Sequence, residues 1–232
     1  MVGMALRIPA PLRVRVGAFS GRVKVIAESR SDVGVDRGGV AATAEDGSVE
    51  VGPRRGSDDV AVRCPVGADV MVGTQSGSVE LSGRFGAVAV TSESGSIRVA
   101  RVSDADLRTV SGAVELDECD GPCRISTTSG RIAVGATGEL DVSTTSGSIS
   151  VNGSAGTVQV HSVSGSVSLA SSGRATVKAT TVSGSITIRL PPGTRPEVRS
   201  SGGGTLRNSF DAGDDVLIEV ANVSGNVQLV PA

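Results

Sequence analysis

The sequence predicts an all-β fold, a single-stranded β-solenoid with coils of about 17–18 residues and two short strands per coil. A motif, Ser-Gly-x-(Val/Ile)-x-(Val/Leu/Ile), recurs from Ser76-Gly77 to Ser183-Gly184 at intervals of 17 to 19 residues. Such a fixed period marks a repeat architecture. β-Branched residues alternate with polar residues on both sides of each motif, which is the strand pattern, and no stretch shows the apolar spacing of a helix.

A meander of antiparallel hairpins is the alternative to a solenoid. The solenoid is favoured because the period is tight, the two halves of each repeat differ in pattern, and equivalent positions carry matched side chains. Parallel stacking, with adjacent coils ~4.8 Å apart, would align those side chains in ladders. The position three residues before each motif glycine is always small and polar, and we expect it to form a buried ladder that satisfies corner backbone groups. Its members are Thr74, Ser92, Thr109, Thr127, Thr144, Ser162, Thr181 and Asn222.

The motif glycine itself is expected at a corner with φ above zero, which a β-branched residue would not tolerate. Three residues after it, the outward row begins with Glu80, Arg98 and Glu115. These charges should alternate up the face, each pair contributing a few tenths of a kcal/mol. Beyond them the row becomes neutral.

The whole chain, 1–232, is predicted to be one domain that begins with irregular coils. Residues 1–63 hold the outlying motif copies Ser20-Gly21 and Asp46-Gly47 and a loop at Pro53–Gly56. Because an uncapped stack exposes its core and its unpaired edge groups, we expect these degenerate coils to cap the open end.

Residues 64–190 hold the regular repeats, and residues 191–232 are predicted to be an insertion loop and a final coil. Pro191-Pro192-Gly193 ends a strand. The 41-residue interval from Gly184 to Gly225 equals about two coils plus an insertion, and the last coil is placed at Val216–Leu229.

Composition excludes several classes of protein. The chain has three Phe, no Trp, no Tyr and a net charge of -2, so we expect no nucleic-acid partner. The lack of Tyr and Trp also weighs against a sugar-binding surface. No apolar run is long enough to span a membrane, and the start of the chain lacks an uninterrupted signal-peptide core, so no membrane insertion and a cytoplasmic location are expected.

The three cysteines are expected to be reduced, partly buried thiols. Cys119 and Cys123 have C-x-x-x-C spacing, and Cys64 stands alone. A zinc site would need all three with His161, the single histidine, so no metal is expected. A Cys119–Cys123 disulfide is possible but needs oxidising conditions.

We expect no catalytic residues and no cofactor. His161 is predicted to be exposed in a neutral region without a nearby acid, which does not suit a catalytic triad. The acidic pairs are interpreted as solvated charge in or beside turns, and the group at Asp117, Glu118 and Asp120 is the best candidate for weak cation binding. The other pairs are Asp58 with Asp59, Asp104 with Asp106, and Asp214 with Asp215.

Several segments resemble a bacterial toastrack-like family of β-strand-repeat proteins, a domain of unknown function also described as an adhesin family. They are Thr144-Thr-Ser-Gly-Ser-Ile-Ser-Val151, Thr181-Val-Ser-Gly-Ser-Ile-Thr-Ile188, the lead-in Val62-x-x-Pro65-x-Gly67-Ala-Asp-Val70 and the ending Pro191-Pro-Gly-Thr194 with the final Val-Ser-Gly-Asn-Val227. The resemblance covers about 12 to 230. It implies a β-solenoid, no catalytic residues and a link to cell-envelope stress regulation.

The function predicted from these features is a non-enzymatic scaffold or protein-interaction module with an unidentified protein partner. Its contact surfaces would be the Ser/Thr faces of residues 125–190 or the two ends of the chain, and the protein would be a monomer or weak homo-oligomer. The alternatives are an end-to-end polymerising cytoskeletal solenoid and, if the chain is exported, a surface adhesin.

Overall fold

The computed structural model describes residues 6–7, 12–44, 48–55, 58–172 and 175–232, and over these it is an all-β solenoid without a helix. The Asp46-Gly47 copy of the motif, Gly56 of the predicted loop and most of the first eleven residues lie outside the described part. The chain divides into two compact units, 1–117 and 118–232. Each unit is a stack of mainly parallel coils, and the single-domain organisation stays a prediction.

The described part of the first unit contains ten complete strands, and an eleventh continues into the second unit. Their bounds are β1 Leu6–Arg7, β2 Arg13–Ala18, β3 Val23–Glu28, β4 Asp32–Arg37, β5 Gly39–Thr43, β6 Val49–Pro53, β7 Val60–Pro65, β8 Asp69–Thr74, β9 Val79–Ser92, β10 Ile97–Ser111 and β11 Val114–Ser154. The remaining strands lie in the second unit. They are β12 Val158–Ser171, β13 Val177–Leu190, β14 Pro196–Gly202, β15 Thr205–Asn208 and β16 Val216–Pro231.

Each regular coil has two runs of alternating residues, as predicted, but the two runs are joined into one long strand. In β9 the first run pairs with β3, Val79 beside Val23, and the second run pairs with β8, Val88 beside Val70. Corner residues also pair: Arg84 of β9 lies beside Arg101 of β10. Because stacked corners exchange backbone hydrogen bonds, the strand continues through them.

The coils of the first unit do not follow one another in chain order. The coil of β2 and β3 lies between the coil of β6 and β7 on one side and that of β8 and β9 on the other. Beyond β6 lies β5, antiparallel to it, and beyond β7 lies β4, which is antiparallel to β7 and is itself paired with β1. In the described part of residues 1–63, the coil of β6 and β7 lies nearer the end of the stack than the coil of β2 and β3, although it comes later in the chain. That these irregular coils cap the stack stays a prediction.

In the second unit the predicted register is confirmed. Leu140, Val158, Val177 and Ile218 lie beside one another in successive strands, and so do the four motif glycines of those coils. Side chains repeating at this interval therefore align in ladders, as a parallel in-register stack requires.

The predicted last coil at Val216–Leu229 is present as β16, but the segment before it is not placed as predicted. No coil separates β13 from β16; the two strands pair directly over Val177–Leu190 and Ile218–Pro231. The segment counted as additional coils instead forms β14 and β15, which pair with the other side of β16. The last strand of the chain therefore lies inside this stack, and the segment preceding it forms the outermost coil.

The core is narrow and almost free of aromatic rings. Phe85 is fully buried, whereas Phe19 is 64% exposed. Valine, isoleucine and leucine fill the remaining interior, and the whole polar ladder predicted before the motif glycines is buried among them.

Candidate interaction surface

The polar ladder determines how the coil turns, and the turn differs between the units. In the first unit the amide of Gly77 donates to Thr74 Oγ1 at 3.1 Å, and the amide of Gly95 donates to Ser92 Oγ at 2.9 Å. The predicted satisfaction of corner groups is thus confirmed at these two corners, but the buried hydroxyl of Thr109 in the same unit has no hydrogen-bond partner among the described residues. In the second unit the strand continues through the corner. Thr144 Oγ1 donates to the carbonyl oxygen of Ser146 at 3.3 Å, as predicted. The buried hydroxyls of Thr127, Ser162 and Thr181 have no hydrogen-bond partner in the described part of the chain. The prediction is wrong for them because the corner amides pair with neighbouring strands instead.

The motif glycines are required by close stacking more than by φ. Gly165 and Gly184 have φ of 145° and 149°, as predicted, but Gly77 and Gly95 are not among the glycines with positive φ. All four glycines lie close against the backbone of the neighbouring coil. A Cβ on any of them would collide with the carbonyl oxygen of the glycine stacked against it. The expectation of a positive φ at every motif glycine is therefore corrected.

The predicted ladder of alternating charges is present in the first unit and is longer than expected. Arg98 Nε donates to Glu115 Oε2 at 2.7 Å, and Lys24 Nζ lies 3.1 Å from Glu80 Oε1. The hydrogen bond from Lys24 lowers the pKa of Glu80, and that to Glu115 raises the pKa of Arg98. The pairing of Lys24 with Glu80 could not be predicted from the sequence, because β3 lies beside β9 only when the coils do not follow one another in chain order.

A second charged row was missed in the sequence. It occupies the strand run before the corner in the second unit, where Lys178 lies beside Glu219 and Glu219 beside Arg199. Glu219 Oε2 is 3.7 Å from Lys178 Nζ, and its Oε1 is 3.6 Å from Arg199 Nη1. The row was not predicted because the partners of Lys178 lie inside the 41-residue interval from Gly184 to Gly225, where the repeat is interrupted.

The run after the corner carries the predicted Ser/Thr face. Its members lie in register on three successive strands and are half-buried or exposed: Ser148, Ser150, Ser166, Ser168, Ser185 and Thr187. The side chain of Arg189 reaches over the face and donates to Ser168 Oγ at 2.6 Å. This face is hydroxyl-rich and has no long apolar side chain.

Three exposed valines lie at the motif corners of the second unit. Val163, Val182 and Val223 are 49%, 48% and 65% exposed and stand two residues before their motif glycines. The residues on either side of them are aligned by the pairing of β12, β13 and β16, so the three form a row. We call these residues the valine row. The row was not predicted because valine is not continuous along the repeat. The equivalent positions in the other coils are Gln75, Glu93, Val110, Thr128 and Thr145.

The residues weighed as catalytic or ligating candidates are dispersed. His161 is exposed, as predicted, between Ser143 and Thr180. Asp59 accepts a hydrogen bond from the Arg22 amide at 2.8 Å, and Asp215 accepts one from the Arg195 amide at 2.8 Å, so both hold turns.

The acids at 104, 106, 117 and 120 lie within β10 and β11, not in loops, because the strands continue through the corners. Asp106 is 2.8 Å from Arg108 Nη2, and Asp117 and Asp120 are exposed. Among the described residues no group of three or more His, Cys, Asp or Glu could hold a metal, and no helix could cross a membrane.

The cysteines differ from expectation. Cys119 and Cys123 form a disulfide with a Cα–Cα distance of 6.6 Å, where reduced thiols were favoured, and both are buried rather than partly exposed. The bend at Gly121-Pro122 brings the two sulfurs together. Cys64 is free and fully buried, and this burial raises its pKa to about 12.

Comparison with known proteins identifies one family. A family model described as Toastrack DUF4097 matches residues 14–230. No curated protein matches the chain. A solved structure described as a putative adhesin from Bacteroides fragilis shares 11% identity with a TM-score of 0.49, covering 98% of this chain and 96% of that one. A putative cell adhesion protein from Clostridium sporogenes shares 8% with a TM-score of 0.20, covering all of both chains. With TM-scores below 0.5, neither likeness informs function.

Proposed function

Because this chain belongs to the Toastrack DUF4097 family, we propose that it is a non-enzymatic β-repeat scaffold that binds a protein partner. The observation that carries the proposal is the alignment of the exposed valine row in successive strands. Apolar side chains aligned and exposed in three successive coils form a patch, and such patches mark interaction sites. The proposed link to cell-envelope stress regulation rests on the family resemblance alone.

The solenoid suits this role because it holds the valine row rigidly. The backbone of each coil is hydrogen-bonded to its neighbours, so the spacing between valines is fixed before a partner arrives. Valine has a single, stiff χ1 torsion, which keeps the loss of side-chain entropy on binding small. The charged row of Lys178, Glu219 and Arg199 lies in the same strand run and would provide a polar rim.

A photo-crosslinking experiment in the native cell tests the proposal. A photoreactive amino acid is placed at Val182 in the valine row or, as the matched control, at Ser166 on the Ser/Thr face, which is also exposed. We expect a discrete cross-linked product from position 182 and none from 166. The double change Val163→Ser and Val223→Ser should weaken that product. Equal labelling at both positions, or none at 182, would contradict the proposal.

The disulfide favours a second candidate function, a surface adhesin. Disulfides persist in oxidising compartments and are rare in the cytosol, so the Cys119–Cys123 bond suits an exported chain better than the cytoplasmic location expected from the sequence. Cell fractionation followed by thiol alkylation decides between them. An adhesin requires envelope or extracellular protein with one alkylatable thiol after denaturation, whereas cytosolic protein with three supports the intracellular scaffold.

A further inference from the structure

The outermost strand of the second unit leaves one edge open. β14 pairs with β16 along one side, and no described strand pairs along its other side. Five of its seven residues are exposed: Glu197, Arg199, Ser200, Ser201 and Gly202. An edge with open backbone N–H and C=O groups is a template for pairing with another strand.

The side chains of β14 are complementary to their own reversed copy. Glu197 and Arg199 lie on the exposed face on either side of the half-buried Val198. Within the chain Arg199 donates to Glu197 Oε1 at 3.0 Å, so opposite charges already meet on this strand. If two such strands run antiparallel with Val198 opposite Val198, each Glu197 lies directly across from the other copy's Arg199.

We propose that β14 is a homodimerisation edge, on which a second copy of this chain pairs antiparallel about a two-fold axis at Val198. The pairing extends the charged row that ends at this edge. Lys178, Glu219 and Arg199 alternate in sign across three adjacent strands, and the next charge along the row is the Glu197 of the second copy. If the pairing is shifted by one or two residues, Glu197 no longer lies opposite Arg199 and the alternation of charge is lost.

The geometry also limits the strength and the size of the assembly. Pro196 lies opposite Ser200 in the pair. It has no N–H, and its carbonyl oxygen already accepts from the Gly213 amide at 3.3 Å, so it contributes little to the pairing. The strand is only seven residues long, and we expect association in the micromolar range. Since a two-fold interface uses the same patch on both copies, it closes at two chains and does not grow into a filament.

Charge exchange on the full chain tests the register. Sedimentation velocity over a range of concentrations is measured for the native chain, for Glu197→Arg, for Arg199→Glu and for the double exchange that combines them. Each single variant places like charges opposite one another and should raise the dissociation constant at least about tenfold. The double exchange restores opposite charges and should restore the dimer. An equimolar mixture of the two single variants should form a heterodimer.

A cysteine cross-link locates the axis. Val198→Cys places two thiols directly opposite each other, within the Cα separation that a disulfide accepts, and should give a covalent dimer under oxidation. Ser201→Cys is the matched control on the same strand. In the proposed register the two thiols introduced at this position are not opposite each other, so this variant should give no covalent dimer. The native cysteines do not interfere, since Cys64 is buried and the other two are paired.

Three outcomes would overturn the proposal. One is a monomer at every concentration, and the second is a dimer that neither single charge reversal weakens. The third is open-ended polymer growth, which would favour the end-to-end filament instead. Circular dichroism of each variant confirms that the exposed substitutions leave the fold intact.

Discussion

Glycine is the residue on which the stacking of coils depends. At Gly165 the backbone has φ of 145°, and a Cβ would collide with the carbonyl oxygen of Gly147 in the neighbouring coil. In any residue with a side chain, the unfavourable φ and the steric overlap would both destabilise the fold. The chain cannot relieve the overlap without breaking strand pairs on either side. The Ser-Gly repeat is therefore a steric requirement of a tightly stacked corner.

Gly165→Ala and Gly73→Ala should change stability in opposite directions. Gly165→Ala should lower the free energy of unfolding by roughly 3 kcal/mol through strain and overlap. Gly73 also lies in a strand, but no atom lies within 4 Å of an added Cβ there, so its alanine variant should gain about 0.5 kcal/mol by restricting the unfolded chain. Urea unfolding of the two variants measures the difference. Equal losses would show that the collision is not the cause.

The buried ladder offers a second comparison between residues of one type. Thr74→Val removes the acceptor of the Gly77 amide and should cost about 1–2 kcal/mol. Thr181 has no partner for its hydroxyl, so Thr181→Val, which replaces that group with a methyl of similar size, should be neutral or stabilising by up to about 1 kcal/mol. The urea-unfolding midpoints of the two variants, each compared with that of the native chain, test this expectation. A comparable loss at Thr181 would mean that its hydroxyl is hydrogen-bonded in solution.

At the scale of the element, strands in this chain are long because corners pair as well as straight runs. The sequence predicts two short strands per coil from two alternating patterns, and both patterns are observed in β12 and β13. What joins them is the pairing of corner residues such as Gly165 with Gly184. Local periodicity identifies the runs, but only the neighbouring coil determines that the corner continues the strand.

The disulfide constrains one such corner. In the chain-entropy account of cross-links, closing this five-residue loop contributes about 2 kcal/mol by limiting the unfolded chain. The double variant Cys119→Ser with Cys123→Ser should lose about that amount relative to the oxidised protein, and the loss should disappear when the native protein is compared in a reductant. Denaturant unfolding with and without dithiothreitol makes the measurement. A loss that persists in reductant would assign the effect to packing of the buried sulfurs.

At the scale of the whole chain, one strand early in the sequence and one late in the sequence are held inside their own units. β16 lies between β13 and β14, and β2 lies between β6 and β8. Terminal segments usually fray, whereas a strand paired on both sides is protected. Both β2 and β16 are thus covered on their two sides, whereas β1, the first described strand, is paired only with β4 among the described strands.

Hydrogen exchange should reveal this arrangement. Amides in the interior of β16, around Val220, should exchange far more slowly than those of the edge strand β14, around Arg199, although β16 is nearer the end of the chain. Mass spectrometry of peptides from the two strands measures the order. Faster exchange in β16 than in β14 would contradict the placement of the last strand inside the stack.

The sequence by itself determines the all-β class, the coil length, the register of equivalent residues, the buried polar ladder and the Glu80–Arg98–Glu115 charges. Each of these follows from the period, because residues one coil apart must lie side by side in a parallel stack. The order of coils at both ends, and with it Lys24, the Lys178–Glu219–Arg199 row and the open edge of β14, was decided by tertiary structure. Short alternating runs of valine can pair with any similar run, so the choice among them depends on contacts between residues far apart in the chain.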